Sequence, residues 1–494
     1  MQLNIFSQKD AVSKSNKDES IDPNILAIDK LDTDKTNSFQ KKIIIDSNLN
    51  RKIVSFQGNK NEAQYRWFKY KESFSFDLVK YLIYSQNDID IKSVLDPFAG
   101  IGTTLFACSQ LGIDSDGIEL LPIGKEVIEV RQLLNNFSQN DFLRLTFWKD
   151  NLPWKQVTKK KEINQLTITK GAYPPTNKDS IERFLYLLDF ENDKLKKVLL
   201  FALICVLESV SYTRKDGQYL RWDKRANRKN GSKRTIKGAG TLRPTSSKFC
   251  KGKILEFDIA IVEQIEQILF DACPTYQNNL FEDEPQTASI NLRSGSCLQI
   301  MPSLKNDAYD AIITSPPYCN RYDYTRTYAL ELALLGITQE ELTQLRQDML
   351  SCTVENKAKP IIENWKSAIE AANQEKLLQL ILDFLESESE IGKLNNKGIP
   401  RMVKGYFYEM SCVIAESFRV LRPGGYMFMV NDNVRYAGIN ISVDLILSSI
   451  AEKLGFTVEK ILVSPTKKGN SSQQMGIHGR KPLRKCVYVW RKPS

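Results

Sequence analysis

A hydroxyl group, two prolines and an aromatic ring follow one another at the end of a short apolar run, Asp310–Thr314. These residues are Ser315, Pro316, Pro317 and Tyr318. Because proline lacks a backbone N–H and has a fixed φ, the stretch presents carbonyl oxygens in a stiff loop. Acceptors beside a flat aromatic face suit the exocyclic amino group of a stacked nucleobase. The alternative is a turn that ends a buried strand, with Tyr318 as ordinary packing.

A second group of residues that suits a ligand lies nearer the N-terminus. Ser93–Asp96 predicts a buried strand, Pro97–Gly102 a glycine-bearing turn and Thr103–Leu111 a helix, and the next strand ends at Glu119. This is a βαβ unit, which implies parallel strands with a right-handed crossover. The glycines allow close approach of a ligand, and the acid can accept both hydroxyls of a ribose. Since the third glycine of the dinucleotide fingerprint is missing, an adenosyl ligand without phosphates fits better.

The apolar residues along the rest of the chain predict an α/β fold. We expect a mostly parallel, Rossmann-like sheet with helices on both faces. A further strand at Ile53–Phe56 and a helix capped by Ser73 are predicted before the sheet. The sheet itself is predicted to have seven strands, which are Ser93–Asp96, Ile113–Leu120, Ser289–Arg293, Asp310–Thr314, Tyr426–Val430 and a closing antiparallel pair, Thr457–Val463 and Cys486–Trp490.

Positive charge is concentrated in one part of the 494-residue chain. The formal net charge is +10, but the segment 214–253 alone carries 14 Lys and Arg residues against two Asp, and the remainder is close to neutral. Glycines and aromatic residues are interleaved with these bases. The combination favours contact with a nucleic acid over the alternative of a solvated, mobile loop.

Composition disfavours several other classes of protein. The nine cysteines contain no Cys-x-x-Cys pair and the only histidine is His478, so we expect neither a zinc site nor a disulfide framework. No apolar run reaches membrane-spanning length, and Met1–Asp10 lacks the pattern of a secretory signal. We therefore expect a cytoplasmic protein without a metal or a membrane partner.

Taken together, these residues resemble those of the DNA methyltransferases that transfer a methyl group from S-adenosyl-L-methionine to an exocyclic amine. Asp96–Gly102 resembles the family's cofactor loop, Glu119 its ribose acid and Ser315–Tyr318 its catalytic tetrapeptide. Trp67–Phe76 and Leu421–Gly425 are similar to further segments of the family's catalytic domain. The motif order is similar to that of the family group whose target-recognition region lies between the two halves, where this chain has its basic segment.

The resemblance implies a division of the chain into functional parts. A helical insertion is expected within the catalytic half. The expected parts are a flexible N-terminal arm (1–50), a cofactor-binding half (51–135), an inserted target-recognition region (136–288) with the basic segment 214–253, a catalytic half (289–337 and 401–494) and the helical insertion (338–400).

A serine at the start of the tetrapeptide usually accompanies cytosine-N4 methylation in this family. The resemblance therefore implies a cytosine-N4 enzyme that acts on duplex DNA with a flipped target base, as the modification enzyme of a restriction-modification system. A companion restriction endonuclease is a further partner that this implies. Ser296 stands where many relatives carry an acid that contacts the cofactor adenine. The implied site residues are Ser315, Pro316, Pro317 and Tyr318 for catalysis; Ser73, Phe74, Asp96, Pro97, Phe98, Gly100, Gly102, Thr103, Glu119, Leu120 and Ser296 for the cofactor; and Arg221, Lys224, Arg225, Arg228, Lys233 and Arg234 for DNA.

Several alternatives stay open at this point. A similar glycine loop and Pro-Pro-aromatic motif would serve adenine N6 or an amine in RNA, and a DNA-recognition protein that has lost catalysis would bind the same cofactor. Cys319 does not directly follow a proline as a cytosine-C5 nucleophile would, so we interpret it as packing. Asp323, Arg326 and Glu331 either support the loop that contains Ser315 or form a solvated helix face, and the second interpretation is favoured. Asn431–Asn433 either line the base pocket or end a strand.

Overall fold

The computed structural model describes residues 22–86, 88–216, 220–226, 248–273, 288–360, 365–465 and 481–494. The strands are β1 (Ile43–Ile45), β2 (Ser93–Asp96), β3 (Asp114–Glu119), β4 (Thr213–Lys215), β5 (Leu220–Trp222), β6 (Ile290–Ser294), β7 (Tyr309–Thr314), β8 (Leu421–Asp432), β9 (Val434–Tyr436), β10 (Ile439–Ile441), β11 (Thr457–Val463) and β12 (Lys485–Arg491). The helices are α1 (Pro23–Ser38), α2 (Phe76–Tyr84), α3 (Thr103–Gln110), α4 (Pro122–Leu134), α5 (Gln139–Asn151), α6 (Pro175–Leu188), α7 (Asp193–Val206), α8 (Phe257–Ala272), α9 (Cys297–Ile300), α10 (Tyr324–Thr327), α11 (Ala329–Leu334), α12 (Gln339–Asp348), α13 (Lys366–Asn373), α14 (Lys376–Glu390), α15 (Ile399–Val420) and α16 (Val443–Lys453).

An eight-stranded sheet organises these elements. Its strand order is β1-β11-β12-β8-β7-β2-β3-β6, and β12 runs antiparallel to both neighbours while the other neighbouring strands are parallel. The predicted α/β fold with a mostly parallel sheet is thereby confirmed. The strand order reverses between β2 and β7, and in such sheets ligands bind outside the carboxyl ends of the strands at this point.

The additional strand comes from the predicted N-terminal arm. The prediction of a loose arm is wrong for residues 22–50, because α1 packs on the core and β1 pairs with β11. Helix α1 packs on the core through an apolar stripe that consists of Ile25, Ile28 and Leu31. The predicted strand Ile53–Phe56 is also wrong, since these residues form turns.

The central strands are positioned by burial on both faces. All six residues of β7 are buried, and alternate side chains enter different cores. Ala311 and Ile313 pack with α2 and α3, whereas Ile312 packs with α15 and α16. Helix α2 is capped by Ser75, whose hydroxyl accepts from the N–H of Leu78 at 3.3 Å, and not by Ser73 as predicted.

A helical layer flanks the sheet beyond α4. Helices α5 to α8 surround a buried aromatic cluster of Trp148, Trp154, Phe184 and Phe257, and the same core includes residues of α4 and α11. Of the helices in the predicted 338–400 insertion, α12 contributes Leu342 to this core, whereas α14 packs on α1 and α15. Among the described residues, no helix is long and apolar enough to cross a membrane.

Candidate active site

A cleft of about 780 Å³ opens where the cofactor and catalytic motifs meet. Ten of the eleven predicted cofactor-binding residues line it, namely Ser73, Phe74, Asp96, Pro97, Phe98, Gly100, Thr103, Glu119, Leu120 and Ser296. Of the predicted catalytic residues, Ser315 and Pro317 line the cleft, whereas Pro316 and Tyr318 do not. One cavity therefore brings together residues that lie more than 200 positions apart in the sequence.

Gly102, the predicted cofactor residue that does not line the cleft, shapes the turn instead. It has a φ of +78° and begins α3, a conformation that favours glycine. A Cβ atom there would lie 2.8 Å from Cγ1 of Ile128. Gly100 has a φ of +56° and faces the ring of Tyr70. The two glycines thus let the turn close tightly between α4 and the cleft.

Glu119 ends β3 with its carboxylate directed back to the glycine turn. One carboxylate oxygen accepts from the N–H of Gly100 at 2.7 Å and the other from the N–H of Leu121 at 2.6 Å. Burial raises the pKa of Glu119 to about 7, although hydrogen bonds from the Leu121 and Gly100 N–H groups lower it. The carboxyl group therefore changes its charge near neutral pH.

Asp96 links the glycine turn to the strand that precedes the predicted catalytic loop, Ser315–Tyr318, which is called the catalytic loop below. Its Oδ1 accepts from the hydroxyl of Thr314 at 2.6 Å and from the N–H of Phe98 at 3.0 Å. Burial raises the pKa of Asp96 to about 6, against these hydrogen bonds, which lower it. Since Thr314 directly precedes Ser315, this contact fixes the start of the catalytic loop relative to the turn.

The hydroxyl of Ser315 has two protein acceptors within reach. It lies 3.2 Å from the carbonyl oxygen of Val430 in β8 and 3.3 Å from the hydroxyl of Tyr318. A hydroxyl carries one hydrogen and two acceptor lone pairs. Donation to either acceptor therefore leaves the oxygen of Ser315 able to accept hydrogen bonds from a group in the cleft.

An aromatic wall supports the cleft on the side of the segment before the glycine turn. Tyr70 lines the cleft and stacks on Tyr328, with ring centres 5.1 Å apart and an interplanar angle of 17°. The hydroxyl groups of Tyr322 and Tyr328 both donate to the carboxylate of Glu72. These contacts tie the wall to the residues that follow the catalytic loop.

A buried ion pair lies behind this wall. The ammonium of Lys215 is 2.6 Å from the carboxylate of Glu331, and their side chains are 4% and 1% exposed. The same ammonium lies 4.5 Å from the ring centre of Tyr328 and 4.8 Å from that of Phe68. The interpretation of Glu331 as part of a solvated face is therefore wrong, and one base of the basic segment is buried rather than available to DNA.

Some cleft residues were missed by the sequence analysis. Tyr70, Glu72, Met349 and Leu350 line the cleft, the last two directly after α12 in the predicted helical insertion. Gly124 in α4 was also missed, and a Cβ atom there would lie 2.4 Å from the carbonyl oxygen of Gly100. The position of Gly124, in the first turn of the helix that follows Glu119, was a sequence signal for its role. Met349 and Leu350 line the cleft only because of tertiary packing, so the sequence carries no signal for them.

The predicted DNA-binding residues differ in their surroundings. Arg221 is about half exposed, lies 3.5 Å from the carboxylate of Asp216 and 4.3 Å from the ring centre of Phe249, and Lys224 is exposed. Arg225 instead binds Asp223 through two hydrogen bonds of 2.8 and 3.0 Å. The other three, Arg228, Lys233 and Arg234, lie outside the described residues.

The remaining sequence interpretations can be compared with the structure. Cys319 is fully buried, and burial raises the pKa of its thiol well above the ordinary range. Asp323 is also buried rather than solvated and pairs with Arg326 at 3.2 Å. Asn431 donates to the hydroxyl of Tyr406 at 2.8 Å, and Asn433 accepts from the N–H of Asp444 at 3.0 Å, so both end β8 within the fold.

Comparison with known proteins agrees with this arrangement. A family model described as a DNA methylase, covering N6 and N4 enzymes, matches residues 4–129, which include the glycine turn and Glu119. The matched residues contain most of the predicted cofactor-binding residues that line the cleft.

Relatives cover nearly the whole chain. The type II methyltransferases M.AvaI of Nostoc sp. and of Anabaena variabilis are each 60% identical over 477 residues, 96% of this chain and 96% of theirs. The type II methyltransferase M.BsoBI of Geobacillus stearothermophilus is 38% identical over 463 residues, 90% of this chain and 89% of its own. The chain therefore belongs to the amino-methylating DNA methyltransferase family, as its motifs predicted.

Proposed function

We propose that the protein methylates the exocyclic N4 amine of cytosine at a specific site in duplex DNA, with S-adenosyl-L-methionine as the methyl donor. The observation that carries the proposal is the oxygen of Ser315, which lies in the cleft with free acceptor capacity. The names of the relatives as type II methyltransferases support a role as the modification enzyme of a restriction-modification system, with a companion endonuclease as a partner.

The cleft residues fit an adenosyl methyl donor. Glu119 offers carboxylate lone pairs for the ribose hydroxyls, and Phe98 and Leu120 offer apolar surface for the adenine. The hydroxyl of Thr103 is buried at the start of α3 and has no hydrogen-bond partner among the described residues. With the helix N-terminus it suits the carboxylate of the amino-acid part. When bound, the cofactor supplies an electrophilic methyl group on a sulfonium.

Ser315 and the backbone after it prepare the amine for attack. The lone pair of an aromatic exocyclic amine is delocalised into the ring, so the free group is a poor nucleophile. Acceptance of its two N–H hydrogens by Ser315 and by the carbonyl of Pro316 would draw the nitrogen toward a tetrahedral arrangement and localise that pair. The prolines keep these acceptors preorganised, which makes them more effective than mobile ones.

Tyr318 provides the surface on which the base is held. The amine of a paired cytosine lies inside the duplex, so the nucleotide must be flipped out to reach the cleft. Tyr318 is a half-buried residue and directly follows the two prolines. Stacking on it would place the amine at Ser315, in register for a direct displacement at the methyl group.

Identification of the methylated nucleoside tests this function. The wild-type protein is incubated with duplex DNA and methyl-labelled cofactor, the DNA is digested to nucleosides and the labelled product is identified by mass. We expect N4-methylcytosine. If the product is N6-methyladenine, the protein methylates adenine and not cytosine. Methyl transfer to RNA alone would identify RNA as the substrate. Absence of methyl transfer would indicate a DNA-binding protein without catalysis.

The carboxyl group of Glu119 makes cofactor affinity depend on pH. Ribose hydroxyls donate to the charged carboxylate, so the bound cofactor lowers a pKa that is about 7 in the free protein. The affinity for the cofactor is then highest above pH 7, where Glu119 is charged. Below pH 7 it falls by at most about tenfold per pH unit. Calorimetric titration over a pH series measures this. In Glu119→Gln we expect weaker binding without the step near pH 7, and an unchanged step would exclude Glu119 as its source.

Neutralising two bases of the recognition region should weaken DNA binding. In the double variant Arg221→Gln and Lys224→Gln, we expect the slope of log affinity against log salt concentration to fall by roughly two, because each phosphate contact contributes about 0.9. Arg225 is left intact because it holds Asp223. Fluorescence anisotropy at several salt concentrations measures the slope. The control is Lys305→Gln with Lys460→Gln, since both lysines are exposed, Lys305 in the loop before β7 and Lys460 within β11. Equal slopes in the wild type, the double variant and the control would show that residues other than Arg221 and Lys224 contact the phosphates.

A further inference from the structure

Lys485 and Asp432 are charged residues at the same edge of the sheet as Ser315, and the proposed reaction gives them no role. Because β12 runs antiparallel to its neighbours, its first residue lies where the parallel strands end. That residue is Lys485, and it pairs across the strands with Asp432, the last residue of β8. Since β8 is the neighbour of β7, the topology places this pair beside the catalytic loop.

The side chain of Lys485 contacts both Asp432 and Tyr318. Its ammonium is 3.7 Å from the carboxylate of Asp432 and 5.8 Å from the ring centre of Tyr318. Only 25% of the Lys485 side chain and 22% of the Asp432 side chain are exposed. A cation within about 6 Å of an aromatic ring is attracted to the ring, more strongly when water is partly excluded. The contact is therefore stronger than it would be on an open surface.

The charges of the three groups depend on one another. Burial raises the pKa of Tyr318, and the positive charge of Lys485 opposes that rise. Burial lowers the pKa of Lys485, but Asp432 and Tyr318 raise it by more. Lys485 therefore stays protonated, as attraction to the ring requires.

We propose that Lys485, held by Asp432, is a positioning residue that fixes the ring of Tyr318 as a wall of the target-base pocket. The inference rests on the proposed function, in which Tyr318 is the stacking surface. Tyr318 belongs to a loop, and its hydroxyl lies 3.3 Å from that of Ser315. A cation beside the ring adds a second point of attachment, so less conformational freedom is lost when the base stacks.

Three variants and one matched control test the proposal. Lys485→Met removes the charge and keeps most of the stem, Lys485→Arg keeps the charge, and Asp432→Asn removes the group that holds Lys485. The control is Lys492→Met, because Lys492 has the same kind of contacts at the other end of β12. Its ammonium lies 4.9 Å from the ring centre of Phe418 and 2.7 Å from the carboxylate of Asp307.

The rate of methyl transfer in a single turnover and the cofactor Kd are measured for each protein. In Lys485→Met we expect the rate to fall about tenfold, the size expected for a partly buried cation–ring contact, with an unchanged cofactor Kd. Lys485→Arg should recover to within about threefold of wild type, Asp432→Asn should be about threefold slower and Lys492→Met should be unaffected. A duplex with 2-aminopurine at the target position should be less quenched by Lys485→Met than by wild type, because stacking on Tyr318 is looser.

The possible outcomes separate this inference from the proposed function. Absence of methyl transfer by the wild-type protein contradicts the proposed function and removes the basis of the inference. An active wild type with a full-rate Lys485→Met overturns the inference alone. Equal slowing by Lys485→Arg and Lys485→Met, or by Lys492→Met, also overturns it, because the effect would then not depend on charge beside Tyr318. If Lys485→Met does not fold, the methyl-transfer rate of Asp432→Asn is the test. A wild-type rate in Asp432→Asn overturns the proposal.

Discussion

Replacement of Ser315 by alanine should lower the turnover rate about 10²- to 10³-fold, the usual loss when one preorganised polar group at the reacting centre is removed. The cofactor Kd should change less than about twofold, because the predicted ribose and carboxylate contacts lie at Glu119 and Thr103. Single-turnover methyl transfer and calorimetric titration measure the two quantities. We expect a slower methyl transfer with a nearly unchanged cofactor Kd because Ser315 lies at the end of β7.

Two controls make this result specific to the acceptor. Ser303→Ala removes a hydroxyl that also donates to a backbone carbonyl, that of Ile300 at 2.7 Å, on the amino side of β7, and should leave the rate unchanged. Ser315→Thr keeps an acceptor oxygen and should be faster than Ser315→Ala. A Ser315→Ala protein within about threefold of the wild-type rate would contradict the role of this hydroxyl.

Replacement of Lys215 by methionine should give the largest loss of stability. It leaves the carboxyl group of Glu331 buried without its partner, which typically costs about 3–5 kcal/mol. The double variant Lys215→Met with Glu331→Leu should recover most of this, because it removes the buried charge as well. The midpoint of urea denaturation for each protein measures the effect. The exposed pair of Lys42 and Glu452, 2.8 Å apart, supplies the control, since Lys42→Met should cost at most about 1 kcal/mol.

The stability loss in Lys215→Met should also depend on pH. Burial raises the pKa of Glu331, and Lys215 opposes the rise, so its removal raises the folded-state pKa further. The unfolded chain keeps an ordinary carboxyl pKa near 4.3. Folding then takes up a proton, so the variant is most stable at low pH and loses stability as the pH rises toward the folded-state pKa. A loss that is equal at pH 5 and pH 8, or that grows on acidification, would contradict burial of an unpaired Glu331.

The sequence predicts the positions of residues best where the residue types themselves restrict the local backbone. Glycines in the turn before α3, the acid at the end of β3 and the prolines after β7 each restrict the backbone or its partners within a few residues. Ten of the eleven residues that were predicted to bind the cofactor line one cleft. The reversal of strand order between β2 and β7 explains why these distant motifs meet.

Residues whose positions depend on distant partners could not be placed in this way. Lys215 resembles its basic neighbours in sequence, and only its contact with Glu331, 116 residues later, shows that it is buried. The stripe of Ile25, Ile28 and Leu31 is separated by polar residues, so α1 was interpreted as part of a loose arm. The contact of Lys485 with Tyr318 likewise depends on the antiparallel direction of β12.

A structure of the complex with the target duplex and the demethylated cofactor product would show directly which base enters the cleft and what its amine contacts. We expect a cytosine outside the helix, stacked on Tyr318, with its amine nitrogen within about 3.2 Å of the oxygen of Ser315. The second hydrogen of that amine should point to a carbonyl of the Pro316 region. An amine directed away from Ser315 would contradict the role of this hydroxyl, and an adenine in this position would contradict the methylation of cytosine N4.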